Sequence, residues 1–161
     1  MTVARDKAEM SRRRLMASGA AALCVAPAFT LVETARAEGG ERSPQFIEAF
    51  NALLAGRTPL ADGVTVELPG TAENGNFVPI TIAVASPMTA EDHVTAIHLL
   101  STGNPAARVA TFHLTPTNAV ARVQSRMRLA KTQDVVVLAE LSTGAVHIAT
   151  TPIEVAIGGC G

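Results

Sequence analysis

From residue 64 onward, hydrophobic and polar residues alternate along the chain with a period of two. In the segment 77–85 every second residue, from Val78 to Val84, is valine or isoleucine. This period is typical of strands that bury one face and expose the other. The segments that show it are 64–68, 77–85, 93–100, 109–115, 119–129, 134–141, 145–150 and 152–157.

Turn signals separate these segments: Asn74-Gly75, Asn104-Pro105 and Thr143-Gly144. Short strands at this spacing predict an all-β fold, an immunoglobulin-like antiparallel β-sandwich, with a compact barrel as the alternative. The chain has no tryptophan, and it lacks the cysteine pair of the immunoglobulin disulfide. Only the architecture is therefore predicted.

The pattern changes to a helical one in the segment 43–56. Ser43 is a good N-cap, Pro44 suits the first helical position, and Gly56 can end the helix. An apolar stripe along this short N-terminal helix predicts that it packs on the main domain, with packing on a partner subunit as the alternative. The stripe consists of Phe46, Phe50, Leu53 and Leu54.

The N-terminus has the features of an export signal. Three arginines, Arg12 to Arg14, precede a modest apolar run, and Ala35-Arg36-Ala37 fits a cleavage site. The flank "SRRRLM" predicts a twin-arginine signal peptide over 1–37 and a periplasmic location, with an ordinary export signal as the alternative. A lipoprotein signal through Cys24 fits less well because leucine is missing three positions upstream. The remaining chain then divides into a domain over 38–157 and a tail over 158–161.

Removal of the signal changes both the charge and the cysteine count. The full chain has a net charge of −1, but the part after Ala37 has seven basic and eleven acidic residues, a net charge of −4. This acidity disfavours nucleic acid and anionic membranes as partners. Cys24 leaves with the signal, so Cys160 is the only remaining cysteine. A lone cysteine in an exported protein indicates a reactive thiol or an intermolecular bond.

Other candidate chemistry along the chain is weak. The histidines lack the spacing of zinc ligands, and the adjacent Glu91 and Asp92 are typical of a loop. We therefore predict no metal and no cofactor. A row of arginines in 119–129 could attract an anion or an acidic partner, although a solvated strand face is the simpler interpretation. The histidines are His93, His98, His113 and His147, and the arginines are Arg122, Arg126 and Arg128.

The setting of Cys160 is more informative. Gly158, Gly159 and Gly161 flank it, which removes side-chain bulk and adds backbone freedom. Four residues extend at most about 13 Å, so the thiol could enter another protein's cleft. We expect the tail to be mobile beyond Ile157. No basic neighbour in the sequence activates the thiol, which indicates that other proteins act on this sulfur.

Four blocks of the sequence resemble the SoxY sulfur-carrier family of the bacterial Sox system. They are "ENGNFVPITIAVASPM" (73–88), "IHLLSTGNPAARVATFHLTP" (97–116), "RMRLAKTQ" (126–133) and "VAIGGCG" (155–161). The resemblance implies an immunoglobulin-like sandwich, exported already folded together with a SoxZ-like β-sandwich subunit as a heterodimer. Cys160 matches the family's covalent attachment point for sulfur, and Gly158, Gly159 and Gly161 match its swinging arm.

The same resemblance implies a carrier without turnover of its own. Partner enzymes would act on the bound sulfur during thiosulfate oxidation: a SoxAX-type cytochrome, a SoxB-type hydrolase and a sulfane dehydrogenase. One departure is that family members commonly end GGCGG, whereas this sequence ends GGCG. The alternative is an exported binding module whose terminal cysteine forms an intermolecular disulfide. A thiol-dependent redox enzyme is a third candidate, but it would need a resolving cysteine or a cofactor.

Overall fold

A computed structural model describes residues 41–159 of the chain, and the proposed signal peptide lies outside them. In this range one helix and eight strands form two sheets, with strand orders β1-β3-β6 and β2-β8-β7-β4-β5. Two separate sheets confirm the sandwich and exclude the barrel. No helix of this part of the chain has the length and apolarity needed to cross a membrane. The elements are α1 (Pro44–Leu54), β1 (Val64–Glu67), β2 (Thr71–Asn74), β3 (Val78–Val84), β4 (Val94–Ser101), β5 (Arg108–His113), β6 (Ala121–Met127), β7 (Gln133–Leu141) and β8 (Val146–Ile157), with a short 3-10 turn at Pro116–Asn118.

The main core lies between the two sheets. The alternating residues of β3 from Val78 to Val84 point into it, as the period of two predicts. β7 differs, because its residues from Gln133 to Ala139 are all buried. It occupies the middle of the five-stranded sheet, where one face meets the other sheet and the opposite face meets the helix.

The helix α1 covers the outer face of the five-stranded sheet. The Ser43 hydroxyl caps it by accepting a hydrogen bond from the Phe46 amide at 3.2 Å, and Ala55 ends it in a left-handed conformation. Phe46 is only 1% exposed and packs with Leu100, Val136 and Leu138. The prediction that the stripe packs on the chain's own domain is therefore confirmed.

The strand β2 was not predicted from the sequence, and it departs from the antiparallel expectation. Its residues, Thr71–Asn74, include alanine, glutamate and asparagine, which are depleted in strands. Only Ala72 is buried, so the segment has no apolar alternation to detect. It pairs parallel with β8, with Ala72 opposite Val155.

The strand β8 also differs from expectation, because the predicted strands 145–150 and 152–157 form one strand of 12 residues. Proline normally interrupts a ladder because it has no N–H to donate. Here Pro152 lies opposite Asp134 of β7. The Asp134 N–H donates to the Thr102 hydroxyl at 3.0 Å, and the Asp134 carbonyl accepts from the Thr102 N–H at 3.1 Å, so both groups bond on the side of β7 away from β8. The pair therefore needs no donor from Pro152, and the strand continues to Ile157.

Candidate functional site

The C-terminal segment stays attached to the sandwich after β8 ends at Ile157. The Ile157 carbonyl accepts a hydrogen bond from the Gly75 amide, and the Gly159 amide donates to the Leu129 carbonyl, both at 2.8 Å. The Leu129 amide in turn donates to the Gly75 carbonyl, also at 2.8 Å. This ladder joins the chain end to two loops, 75–76 and 129–130. We call the space between these loops the arm slot.

The arm slot has room for glycine only. A Cβ atom on Gly158 would overlap the Ala130 carbonyl oxygen, and one on Gly159 would lie 2.9 Å from the Gly75 carbonyl carbon and 3.0 Å from the Asn76 amide nitrogen. Neither glycine is among those with positive φ, so the requirement is space and not a special backbone conformation. The structure thus differs from the expectation of a tail released at Ile157, because Gly158 and Gly159 are packed against the domain.

A pair of buried side-chain amides holds one wall of the arm slot. Asn104 donates from Nδ2 to the Arg128 carbonyl at 2.8 Å, and its Oδ1 accepts from the Ala130 amide at 2.9 Å. The same Oδ1 accepts from Nε2 of Gln133 at 2.8 Å, and Gln133 also donates to the Lys131 carbonyl. Asn104 is 8% exposed and Gln133 1% exposed. These two residues fix the backbone of 128–131, and the sequence marked Asn104 only as a turn residue.

Replacement of Asn104 by alanine should therefore destabilise the protein and loosen the arm slot. The change leaves the Ala130 amide, the Arg128 carbonyl and the Gln133 amide without this partner, which should cost about 2–4 kcal/mol of unfolding free energy. Urea unfolding measures the loss, and hydrogen exchange at the Gly159 amide measures the loosening. Asn51→Ala, at an exposed position of α1, is the control and should change stability by less than about 0.5 kcal/mol. Equal stability of the two variants would contradict this role of Asn104.

The structure places the predicted site residues in different regions. Cys160 and Gly161 lie outside the described residues, while Gly158 and Gly159 lie in the arm slot. Arg128 directly precedes the slot residue Leu129, and Arg122 and Arg126 lie farther back along β6. Glu91 and Asp92 belong to the loop before β4, at the opposite end of the sandwich from the turn that holds Asn104.

The described histidines lie far from the arm slot. His98 pairs with Leu138 and His147 with Ala139, and these β7 positions are five and six residues from Gln133, about 17–20 Å along a strand. His93 precedes the start of β4, whose other end leads to Asn104. Among residues 41–159 no group of three or more potential metal ligands occurs.

His98 belongs to a separate polar cluster on the outer face of the five-stranded sheet. Its Nδ1 lies 3.0 Å from the Thr111 hydroxyl, and its Nε2 lies 3.9 Å from Oε2 of Glu140, which also pairs with Arg57. Burial lowers the pKa of His98, and the Glu140 carboxylate offsets part of this effect. The cluster of His98, Glu140 and Arg57 lies beside the end of the helix and away from the arm slot.

Comparison with known proteins identifies the family to which this sandwich belongs. The family model described as "Sulfur oxidation protein SoxY" matches residues 50–160. The solved structure of the sulfur carrier protein SoxY from Chlorobium limicola f. thiosulfatophilum is 30% identical, with a TM-score of 0.57, and the match covers 70% of this chain and 97% of that one. None of the curated proteins matches the chain.

A second group of structures shares the fold alone. The superoxide reductase (neelaredoxin) from Ignicoccus hospitalis has 17% identity and a TM-score of 0.53, covering 58% of this chain and 80% of that one. A variant of the same reductase matches with 16% identity and the same TM-score, covering 63% of this chain and 85% of that one. At this level of identity the likeness extends to the sandwich and not to chemistry.

The site and the comparisons together define a β-sandwich carrier protein rather than an enzyme. The chain belongs to the SoxY family of sulfur carriers, which takes part in sulfur oxidation by the Sox system. The family is periplasmic and works with the other components of that system. The predicted family, the sandwich fold and the carrier class are thereby confirmed.

Proposed function

We propose that Cys160 is the covalent attachment point for sulfur intermediates of thiosulfate oxidation. The observation that carries this proposal is the arm slot, which holds the chain up to Gly159 against the end of the sandwich. Cys160 is also the only cysteine after Ala37. Membership of a sulfur-carrier family supplies the cargo.

The proposed loading step is an oxidation. The Cys160 sulfur forms a bond with the outer sulfur of thiosulfate, and the thiol loses one proton. Two electrons leave at the same time, and a SoxAX-type c-type cytochrome accepts them. The product is a thiosulfonate adduct on the chain, and the partner enzyme activates the thiol for this step.

The proposed unloading step is a hydrolysis. A SoxB-type hydrolase adds water to the terminal sulfonate group, so that sulfate and a proton leave and a persulfide remains on Cys160. A sulfane dehydrogenase then oxidises the outer sulfur of the persulfide to a sulfonate. Water supplies the three oxygen atoms, protons are released, and the six electrons pass to the electron acceptor of that enzyme. Gly158, Gly159 and Gly161 form the arm that presents the sulfur in these reactions. Gly158 and Gly159 fit the arm slot because they lack side chains, and Gly161 adds no side-chain bulk beside the thiol.

The proposed assembly is a periplasmic heterodimer with a SoxZ-like β-sandwich subunit. The segment 1–37 is a twin-arginine signal, which would export the pair already folded, and 38–157 is the folded domain. The arm then covers 158–161. The apolar residues exposed at the end of the sandwich, Phe77 and Ile157, are each 68% exposed in the isolated chain and are available to partners.

Mass spectrometry of the C-terminal peptide tests this proposal. Lys131 is the last lysine or arginine, so trypsin releases 132–161 with Cys160 as its only cysteine. After incubation of the mature protein with thiosulfate and a SoxAX-type cytochrome, this peptide should carry one thiosulfate, and a SoxB-type hydrolase should convert the adduct to a persulfide. A thiol that stays free throughout turnover would refute the proposal. A permanent disulfide to another protein on non-reducing electrophoresis would favour the binding module instead.

A further inference from the structure

The outer face of the three-stranded sheet carries a row of exposed arginines that ends at the arm slot. Arg122 and Arg126 alternate with inward-facing residues of β6, and Arg128 follows directly after the strand. Leu129, the next residue, bonds to both Gly75 and Gly159. The row therefore starts where the chain end is held and extends away from it along the sheet.

This row is a local concentration of positive charge on an acidic domain. Residues 41–159 contain seven basic residues, and three of them lie in the row, while the chain after Ala37 has a net charge of −4. The ion pairs found among the described residues involve Arg57, His98 and His147, and none involves the row. No arginine of the row forms an ion pair within this part of the chain, and the carboxylate on the same sheet face, Glu67, lies two strands away on β1.

The surroundings of the row favour contact with a large, flat partner. The β3 residues opposite Arg126 and Arg122 are Pro79 and Ala83, whose short side chains leave the guanidinium groups accessible. Phe77, which precedes β3, is 68% exposed near the arm slot. Arginine and aromatic residues are enriched at protein interfaces, and they contribute most of the binding energy there.

The length of the arginine row favours an acidic protein surface over a small anion as its binding partner. From Arg122 to Arg128 an extended strand covers about 20 Å, which is comparable to the width of one side of a protein interface. A small anion, such as the sulfonate of a bound intermediate, could contact only the end of the row. The chemistry of the whole row fits an acidic protein surface.

We propose that Arg122, Arg126 and Arg128 form a docking surface for an acidic face of the proteins that act on Cys160. This inference rests on the proposed function, since those proteins are the ones that load and unload the thiol. The row aligns such a partner with the end of the sandwich, so that its active site meets the chain end at the arm slot. Opposite charges also accelerate the encounter of the two proteins.

Charge reversal at Arg126 tests the proposal. With a SoxAX-type cytochrome and thiosulfate, Arg126→Glu should lower kcat/KM for loading about tenfold at low ionic strength, and the loss should shrink at about 0.5 M salt because charges are then screened. Arg126→Lys, which keeps the charge, should retain most of the rate. Arg108→Glu, an exposed arginine on β5 of the other sheet, is the matched control and should change kcat/KM less than about twofold.

Binding of the Cys160→Ser chain separates docking from chemistry. This chain should bind the cytochrome with an affinity that falls with salt, and Arg126→Glu in that background should weaken it. Equal effects of Arg126→Glu and Arg108→Glu at every salt concentration would overturn the docking surface while leaving the carrier function intact. A shorter lifetime of the loaded adduct with unchanged partner affinity would also overturn it, because the row would then hold the sulfonate. A wild-type chain that binds the cytochrome but is never loaded would refute the carrier function alone.

Discussion

Replacement of Cys160 by serine should abolish sulfur loading completely. A hydroxyl oxygen does not form the sulfur–sulfur bond of the proposed intermediates, and the chain after Ala37 contains no other cysteine. The apolar clusters that hold the described residues together are formed entirely upstream, from Phe46 to Val155. The unfolding free energy should therefore change by less than about 0.5 kcal/mol, as for other substitutions outside a core. The readouts are the mass of the peptide 132–161 and thermal unfolding.

A relocated thiol provides the control for this experiment. In the Cys160→Ser background, Thr143→Cys places a cysteine in the exposed turn between β7 and β8, far along β7 from Gln133. The partner enzymes should leave this thiol unloaded, because nothing presents it beside the arm slot. Loading at residue 143 as fast as at Cys160 would show that any exposed thiol suffices. Full pathway activity of Cys160→Ser would refute the carrier role directly.

Replacement of Gly158 by alanine should release the chain end from the arm slot. The added methyl group would overlap the Ala130 carbonyl oxygen, which is backbone and is held in place by the Asn104 network. Relief requires a shift of residues 158–159, with the loss of the Gly159–Leu129 hydrogen bond. We expect a loss of about 1–3 kcal/mol in unfolding free energy and faster hydrogen exchange at the Gly159 amide.

Gly70→Ala is the matched control for Gly158→Ala. No atom lies within 4 Å of a Cβ at Gly70, and its φ is not positive. Alanine there should leave stability unchanged or raise it by about 0.4–1 kcal/mol, because it restricts the unfolded chain. The two substitutions are chemically identical, so opposite signs would isolate the packing in the arm slot. Equal effects, or an unaltered Gly159 amide in Gly158→Ala, would show that the slot does not constrain the chain end.

The sheets could be predicted from the sequence because burial on one face imposes a period of two. The β3 residues from Val78 to Val84 show this directly. The segment 71–74 shows no such period and enters a sheet through its pairing with β8, which no local pattern encodes. A strand end was wrongly predicted at Pro152. The strand continues because Asp134, opposite Pro152, bonds instead to Thr102, which is remote in sequence.

The conformation of Gly158 and Gly159 could not be predicted from the sequence for a similar reason. A glycine pair indicates either backbone freedom or a close approach of another backbone, and the sequence does not distinguish these meanings. The first was expected for Gly158 and Gly159, and the structure shows the second. The side chain of Asn104 contacts Arg128 and Ala130, 24 and 26 residues away, so its part in the slot is a property of the tertiary structure.

The hydrogen bonds of the arm slot should persist when the pH falls. Both proposed steps, loading and hydrolysis, release protons, so the carrier acidifies its own surroundings. The hydrogen bonds of the slot join main-chain amides, carbonyls and the carboxamides of Asn104 and Gln133, and none of these groups titrates in the accessible pH range. The base of the arm thus keeps its geometry in the acid that its own pathway produces.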